Sequence, residues 1–541
     1  MQYNIPLLEG KMNLLFREDS KKEVVTLKPE AVKDLALMEI VESAGDSEKS
    51  RLILKSIFTK LPSDIDDISY RQDIMRDLLE NSELSDELEE VLGQIQILKD
   101  YSKSKPLIMQ NDQVLYTLLE RLRELSTYVH VSESIFSSLE KHSPGSEGLK
   151  LLREKLAGVV KDEKFEQTKQ DIEKMLGDLS NVKGALVGVN FTPDLNVESV
   201  AAIEFVPYKL RSKYMFAEIV ASINSIIGYA TSSNSLRGPY SEVRIPDPML
   251  VNLTPQIEKH LKRHFSDIKS TMNKHLKLDA SFITDMYEAL TFYILMAKFG
   301  RRIKSEGNEI CFPELNGQEK GVSFKMKDMY NIRLVLSKEE RIVKNDFSFS
   351  PEENLFILTG PNRGGKTIME QALGIISVMT SIGCFVTASE CTGRPFSNIL
   401  THFPIDENLT INYGRLGEEA VRIREIIKES DDKTLLLCNE TYSTTSAVDG
   451  LYLSRDLLHV MKDIGTAVIF NTHIHEVARS IPEMNEWEGG SRFVSLVMEI
   501  KDDVNTFRIK RCDPDSKSYA MNIARKYGIT YEQISQIAGN K

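Results

Sequence analysis

The segment that most constrains the fold is a glycine-rich turn between an apolar run and a helical pattern. Residues 355–359 form the apolar run, and the eight residues after it match G-x-x-x-x-G-K-T. A strand, a glycine-rich loop and a helix in this order are typical of the phosphate-binding loop of α/β nucleotide-binding folds. The candidate loop residues are Gly360, Pro361, Asn362, Arg363, Gly364, Gly365, Lys366 and Thr367.

The chemistry of this loop predicts ATP and Mg²⁺ as cofactors. Its glycines let the backbone curl so that its N–H groups face phosphate oxygens, and the following helix N-terminus adds positive potential. Lys366 is expected to reach the β- and γ-phosphates, and Thr367 to bind Mg²⁺.

A second apolar run, residues 435–438, ends in Asn439 and Glu440. P-loop ATPases usually carry Asp-Glu at this position, where the Asp holds Mg²⁺ and the Glu polarises the attacking water. Glu440 is therefore the candidate catalytic carboxylate and Asn439 the residue on the metal side. A neutral amide offers no charge compensation, so weaker Mg²⁺ binding or slower hydrolysis is expected. The alternative is that Glu440 only caps a helix or pairs with a surface base.

A third apolar run, residues 467–470, is followed by His473. A histidine at a strand end, behind the other two motifs in the chain, is a candidate sensor of the γ-phosphate. The alternative is a structural histidine. His475 is a less favoured candidate.

The pattern along the chain predicts two kinds of architecture. Residues 1–310 are mainly helical, with a β insertion near residues 182–206, and we expect one long helix over residues 149–179. From residue 311 to 541 short apolar strands alternate with helices. The predicted fold class is a mainly α N-terminal half plus an α/β ABC-type P-loop ATPase domain, with residues 516–541 as its C-terminal helical segment.

Composition excludes several protein classes. Hydrophobic residues make up 41% of the chain and charged residues 27%, as in soluble globular proteins. The net charge of −12 does not itself indicate nucleic-acid binding. The five cysteines form no C-x-x-C pair, and with no secretion signal they favour a reducing cytoplasm. The most apolar stretch, residues 373–388, is too short and too interrupted to span a membrane; we expect a buried helix running into a buried strand.

These motifs resemble those of the MutS family. Residues 359–367 are similar to its TGPNxGGK[ST] loop, and residues 439–450 to its DExxxGTSxxDG segment. Residues 383–388 are similar to its G-x-F-V-P-A strand, residues 472–473 to the end of its ATH segment, and residues 516–519 to its S-x-S-Y. Weaker similarity at residues 70–81 covers the family's helical core.

The resemblance implies a homodimer with two composite ATP sites, each completed by a loop from the other subunit. The candidate loop here is residues 406–417, in which Leu416 replaces the Ser that contacts ATP in the family; Arg415 is the candidate electrostatic substitute. The family's mismatch reader is an N-terminal domain with a Phe-x-Glu motif, for which we find no equivalent. We therefore expect a MutS-like protein that lacks mismatch recognition in its usual form.

DNA as a partner rests mainly on this resemblance. Two clusters of basic residues have two possible interpretations: residues 209–213, flanked by Tyr208 and Tyr214, and residues 259–264. They contact phosphates, or they form a solvated helix face. The first hypothesis is an ATP-dependent DNA clamp that acts on mismatched, branched or otherwise non-standard DNA in repair or recombination. The second is a nucleotide-gated scaffold with weak ATPase activity that works through a protein partner. A chromosome-maintenance ATPase is a third possibility, disfavoured because the chain has no long heptad array.

Overall fold

A computed structural model describes residues 13–103, 114–180, 184–194, 197–206, 281–316, 322–404, 415–443, 445–501, 504–512, 528 and 530–539. The helices are α1 (Pro29–Asp34), α2 (Leu37–Ala44), α3 (Glu48–Phe58), α4 (Ile65–Glu80), α5 (Ser82–Lys103), α6 (Val114–His142), α7 (Glu147–Val160), α8 (Glu163–Ser180), α9 (Ser281–Asp285), α10 (Tyr287–Ser305), α11 (Ile332–Leu336), α12 (Lys366–Ser381), α13 (Arg415–Glu429), α14 (Ala447–Ile464), α15 (His475–Arg479), α16 (Ile481–Met484) and α17 (Tyr531–Gly539). The strands are β1 (Val24–Thr26), β2 (Lys60–Pro62), β3 (Gly184–Phe191), β4 (Val197–Val206), β5 (Glu314–Leu315), β6 (Phe324–Met329), β7 (Asn345–Phe349), β8 (Glu353–Thr359), β9 (Glu390–Gly393), β10 (Asn398–His402), β11 (Thr434–Asn439), β12 (Ala467–Asn471), β13 (Arg492–Lys501) and β14 (Val504–Arg511).

The chain divides into two compact units. The first includes the described parts of Gly93–Glu140 and Arg153–Asp285, and the second those of Met12–Leu92, Lys141–Leu152 and Met286–Lys541. The second unit thus combines early helices with the late sheet. The domain boundary expected near residue 310 stays a prediction.

The first unit contains helices and an antiparallel strand pair, β3 and β4. The long helix expected over residues 149–179 is in fact two helices, α7 and α8. The break occurs at Asp162, whose carboxylate accepts a hydrogen bond from the backbone N–H of Lys164 at 2.8 Å. This side chain satisfies a backbone donor at the start of α8, which favours a new helix over continuation of the old one.

The second unit is built around a six-stranded sheet in the order β10-β11-β12-β8-β13-β14. The first five strands in this order pair in parallel, and β14 pairs antiparallel with β13. All residues of β11 and β12 are buried, as expected for central strands covered on both faces. Because β8, β11 and β12 run in parallel, the segments that follow them reach the same edge of the sheet.

A second sheet in this unit has the order β5-β9-β6-β7. Phe349 of β7 packs edge-on against Phe356 of β8, with ring centroids 5.5 Å apart. Residues 383–388 are buried, but the strand expected there is wrong: the segment makes only an isolated bridge between Val386 and Cys311. Gly383 has a φ of 77°, a left-handed turn that ends the preceding helix.

Helix α1 contacts α12, the helix that follows the glycine-rich loop, and α2 is linked to α12 through α11. Gln371 of α12 donates a hydrogen bond to the backbone oxygen of Asp34 at 2.7 Å. Arg333 of α11 bridges Glu39 of α2 at 2.7 Å and the Gln371 side-chain oxygen at 2.7 Å. The N-terminal helices are therefore part of the structure that supports the loop.

In the part of the chain that the structure describes, no helix is both long and apolar enough to cross a membrane.

Candidate active site

The glycine-rich loop, residues 360–367, joins β8 to α12 at the carboxyl edge of the six-stranded sheet. Gly360 has a φ of 137° and Gly365 a φ of 92°, both in the region that a side chain disfavours. A Cβ at Gly365 would also lie 3.1 Å from Cδ1 of Phe507. These glycines let the backbone turn sharply and begin a helix whose first N–H groups point into the loop.

Lys366 lies in the first turn of α12 and is almost fully buried. Its ammonium donates hydrogen bonds to the backbone oxygens of Gly360 at 3.0 Å and Pro361 at 3.1 Å. Burial lowers the Lys366 pKa, an effect opposed by the negative charges of Glu440 and Glu370. An ammonium has three N–H donors, so the two bonds to the loop leave one donor for a phosphate oxygen.

Thr367, the next residue, reaches the end of β11. Its hydroxyl donates a hydrogen bond to Asn439 Oδ1 over 3.3 Å. The same Oδ1 accepts a second hydrogen bond, at 2.6 Å, from the Nδ2 group of Asn471 at the end of β12. The hydroxyl hydrogen of Thr367 is thus directed away, which leaves oxygen lone pairs of Thr367 for a metal ion.

Glu440 follows Asn439 and has a φ of 54°. This left-handed conformation is strained for a residue with a side chain, and it is held by a hydrogen bond from the Glu440 N–H to the backbone oxygen of Asn471 at 2.9 Å. The Glu440 carboxylate lies 2.8 Å from Nε2 of His473. Strained backbones of this kind occur often at functional sites, and the strained residue here is the one whose carboxylate contacts His473.

The oxygen donors at this edge suit Mg²⁺. The described residues contain no group of three or more His, Cys, Asp or Glu side chains that could hold a metal ion. Mg²⁺ is commonly held by only one or two protein ligands together with water and substrate phosphates. The Thr367 hydroxyl oxygen fits that pattern, and so does the Asn439 amide oxygen when the ion takes the place of the hydrogen bond between the two.

A cavity of about 390 Å³ adjoins the glycine-rich loop. Its lining includes Tyr330, Ile368 and Phe507. Phe507 lies on the β13–β14 hairpin and is partly exposed, and Asn505 of the same hairpin donates a hydrogen bond to the Arg363 backbone oxygen at 3.2 Å. The lining combines these aromatic and aliphatic side chains with the charged Glu339, Arg341 and Arg363, and its apolar part can hold a planar ring. No sequence motif indicates this cavity.

A buried histidine lies behind the catalytic candidates. His402 ends β10, and its Nδ1 is 2.9 Å from the hydroxyl of Thr441, the residue after Glu440. Burial, with a smaller contribution from Arg422, lowers the His402 pKa to about 3. His402 is therefore neutral at physiological pH and supports the Glu440 segment as an uncharged group.

The structure brings the main predicted site residues together and leaves others aside. Lys366, Thr367, Asn439, Glu440 and His473 meet at one sheet edge. The exposed Asn362 and Arg363 form the tip of the loop, and Gly364 is buried within it. His475 begins α15, and burial lowers its pKa.

Several predicted segments lie largely or wholly outside the described residues. These are the two basic clusters, residues 516–519 and most of the candidate loop at residues 406–417. At the end of that loop, Leu416 is partly exposed at the start of α13.

Comparison with known proteins matches two parts of the chain to family models. Residues 356–540 match MutS domain V, and residues 63–207 match the MutS2 N-terminal domain. The first match contains the glycine-rich loop, Asn439, Glu440 and His473, and begins within β8.

Individual relatives carry the name DNA mismatch repair protein MutS. The protein from Caldanaerobacter subterraneus subsp. tengcongensis is 22% identical over 507 residues, which cover 87% of this chain and 55% of the relative. The protein from Oceanobacillus iheyensis is 28% identical over 174 residues, 32% of this chain and 20% of the relative. The protein from Chlorobaculum tepidum is 27% identical over 203 residues, 37% of this chain and 23% of the relative. The chain therefore spans about half, or less, of the length of these relatives.

Proposed function

The chain belongs to the MutS family, and from that premise we propose that it is an ATP-dependent DNA-binding clamp acting on mismatched, branched or otherwise non-standard DNA. The observation that carries the ATPase part is the meeting of Lys366, Thr367, Asn439, Glu440 and His473 at one edge of the sheet. Three separate sequence motifs supply these residues, and β8, β11 and β12 bring them together.

Each residue has a role that follows from its contacts. The backbone of residues 360–365 and the ammonium of Lys366 bind and orient the phosphates. Thr367 and Asn439 would hold Mg²⁺, which compensates charge on the phosphates when it is bound. Glu440 orients the attacking water and accepts its proton. His473, in contact with the Glu440 carboxylate, lies where it can respond to the terminal phosphate.

The cavity beside the loop would hold the nucleobase, with Phe507 against the ring. This placement puts the base on one side of the loop and the phosphates on the other. The family resemblance further implies a homodimer in which a loop of one subunit completes the ATP site of the other.

The test is ATP turnover with and without DNA. Wild type and Glu440→Gln are assayed alone, with plain duplex, with a mismatched duplex and with a four-way junction. We expect non-standard DNA to stimulate the wild type, and Glu440→Gln to lose roughly 10²- to 10⁴-fold in turnover while it still binds ATP, because only the general base is removed. Lys366→Ala is the control that loses nucleotide binding. No stimulation, together with no DNA retention at moderate salt, would contradict the clamp.

A second function is favoured by one observation: the residue beside Thr367 is the neutral Asn439 rather than a carboxylate. Weak charge compensation there would suit a nucleotide-gated scaffold that hydrolyses ATP slowly and acts through a protein partner. On this alternative Asn439→Asp raises turnover sharply. A wild type that already hydrolyses ATP quickly would exclude the scaffold.

A further inference from the structure

Glu370 is a buried carboxyl group that the proposed hydrolysis does not use. It lies on α12, four residues after Lys366 and three after Thr367, so it shares their face of the helix. Its side chain is fully buried. Burial raises its pKa well above the usual range, and the hydrogen bond from Asn471 opposes that effect.

The contacts of Glu370 lead to the metal-side residue in two steps. Asn471 Nδ2 lies 3.5 Å from Glu370 Oε2 and 2.6 Å from Asn439 Oδ1. Asn439 Oδ1 in turn accepts the Thr367 hydroxyl. Among the described residues, Glu370 Oε1 and Asn471 Oδ1 are buried without a hydrogen-bond partner.

The contacts from Glu370 through Asn471 to Asn439 form a relay, in which each amide must be held in one orientation. One end of an amide group accepts hydrogen bonds and the other end donates them. A carboxylate presents an oxygen whichever way it is turned, but Asn439 must present Oδ1, not its NH₂ group, to Thr367 and to a metal ion. The donor from Asn471 fixes Asn439 in that orientation. The Asn471 amide must itself be held in one orientation, and a hydrogen-bond acceptor for its second N–H holds it there. Glu370 Oε2 is that acceptor.

We propose that Glu370 is a positioning residue of the metal–nucleotide site, which through Asn471 holds the Asn439 amide with its oxygen toward Thr367. This inference rests on the proposed nucleotide site and deepens it. A neutral or an ionised Glu370 serves equally well, because both forms offer an oxygen acceptor. What the relay requires is an acceptor at this position, whatever its charge.

A purely structural role would give a different result. Burying a carboxyl group that makes only one long hydrogen bond costs free energy. Burying an apolar side chain of similar size does not carry that cost. Glu370→Met is therefore expected to fold at least as stably as the wild type. A higher Mg²⁺ requirement for nucleotide binding in a stably folded variant is a change that lost packing alone would not produce.

The experiment is a Mg²⁺ titration of the binding of a fluorescent ATP analogue to the full chain. In Glu370→Met, the Mg²⁺ concentration for half-maximal binding should rise about tenfold, equivalent to about 1.4 kcal/mol. Glu370→Gln keeps an oxygen acceptor and should stay within about threefold of wild type. Glu370→Met combined with Asn439→Asp should recover, because a carboxylate needs no orienting partner. Ser377→Ala, which removes another buried polar group of α12, is the matched control and should leave the midpoint unchanged.

The outcomes separate the relay from the proposed function. Unchanged Mg²⁺ dependence in folded Glu370→Met, or a double variant no better than the single one, overturns the relay while wild-type nucleotide binding stands. A wild type that binds no nucleotide overturns both. Should Glu370→Met fail to fold, Asn471→Ala breaks the relay one step closer to Asn439 and carries the same expectations, including recovery with Asn439→Asp.

Discussion

His402 should make the second unit sensitive to mild acid. Its folded pKa of about 3 lies well below the ordinary histidine value of 6.5. Between these values the unfolded chain binds a proton that the folded chain does not, so stability is full above pH 6.5 and falls as the pH decreases toward 3. At about pH 5 the free energy of unfolding is lower by about 2 kcal/mol. This loss depends almost only on the pKa of His402 in the unfolded chain, because the folded group is still neutral at that pH.

The assay is urea unfolding followed by tryptophan fluorescence at about pH 7.5 and about pH 5. Trp487 is the single tryptophan of the chain and stacks on His459 at 4.3 Å within the second unit, so its signal reports the unfolding of that unit. The comparison is between wild type and His402→Asn, whose amide lies close to the position of Nδ1 and can keep the hydrogen bond to Thr441. Other titrating groups are common to both proteins and cancel.

We expect the wild type to lose about 2 kcal/mol more than His402→Asn over this interval. Equal losses in the two proteins, within about 0.5 kcal/mol, would refute the reasoning. The folded protein would then accommodate the charged imidazole, and Nε2, which is buried without a partner among the described residues, would have to reach an acceptor or water.

Three other expectations concern the fold and the cavity. Gly393→Ala should destabilise the second unit by about 3 kcal/mol in thermal or urea unfolding, because Gly393 has a φ of 136° and a Cβ there would collide with the Ser323 backbone oxygen; a loss under about 1 kcal/mol would contradict this. Phe507→Ala should weaken ATP binding by about tenfold in equilibrium titration while triphosphate alone binds as before, because only the base loses a contact; equal loss for both ligands would argue against a base site. In native labelling with a thiol reagent, the exposed Cys512 should react first and Cys384, whose pKa is raised by burial, only on unfolding.

The parts of the fold that could be predicted from sequence are those specified by local pattern. Residues 353–367 carry an apolar run, a glycine-rich turn and a helix start in immediate succession, and the structure has β8, the loop and α12 there. The strands before Asn439 and His473 can also be predicted from the sequence, because buried parallel strands are continuous apolar runs.

The predictions from sequence fail where one local pattern is compatible with more than one tertiary structure. The apolar residues 383–388 have the composition of a strand, yet they find only one bridging partner. The helical spacing of residues 149–179 continues through Asp162, whose capping contact can be recognised only from the backbone.

The supporting residues of the site could not be predicted, because their roles depend on distant parts of the chain. Glu370 has the appearance of an ordinary polar helix position, and only the burial of α12 on nearly all sides shows that it faces Asn471. Phe507 reaches the glycine-rich loop from a hairpin more than a hundred residues later, where Asn505 and Arg363 are 142 positions apart. No periodicity in the sequence encodes such an approach.

The contact between α1 and α12 has a consequence for synthesis on the ribosome. The hydrogen bond from Gln371 to Asp34 joins residues 337 positions apart. At ordinary rates of translation, roughly 20 to 70 s pass between the emergence of the first partner and that of the second. During this delay Leu35, which is fully buried in the finished protein and packs against Gly374 of α12, lacks that part of its native surroundings. The nascent N-terminal helices are therefore expected to need a holding chaperone, and slower translation should increase their aggregation.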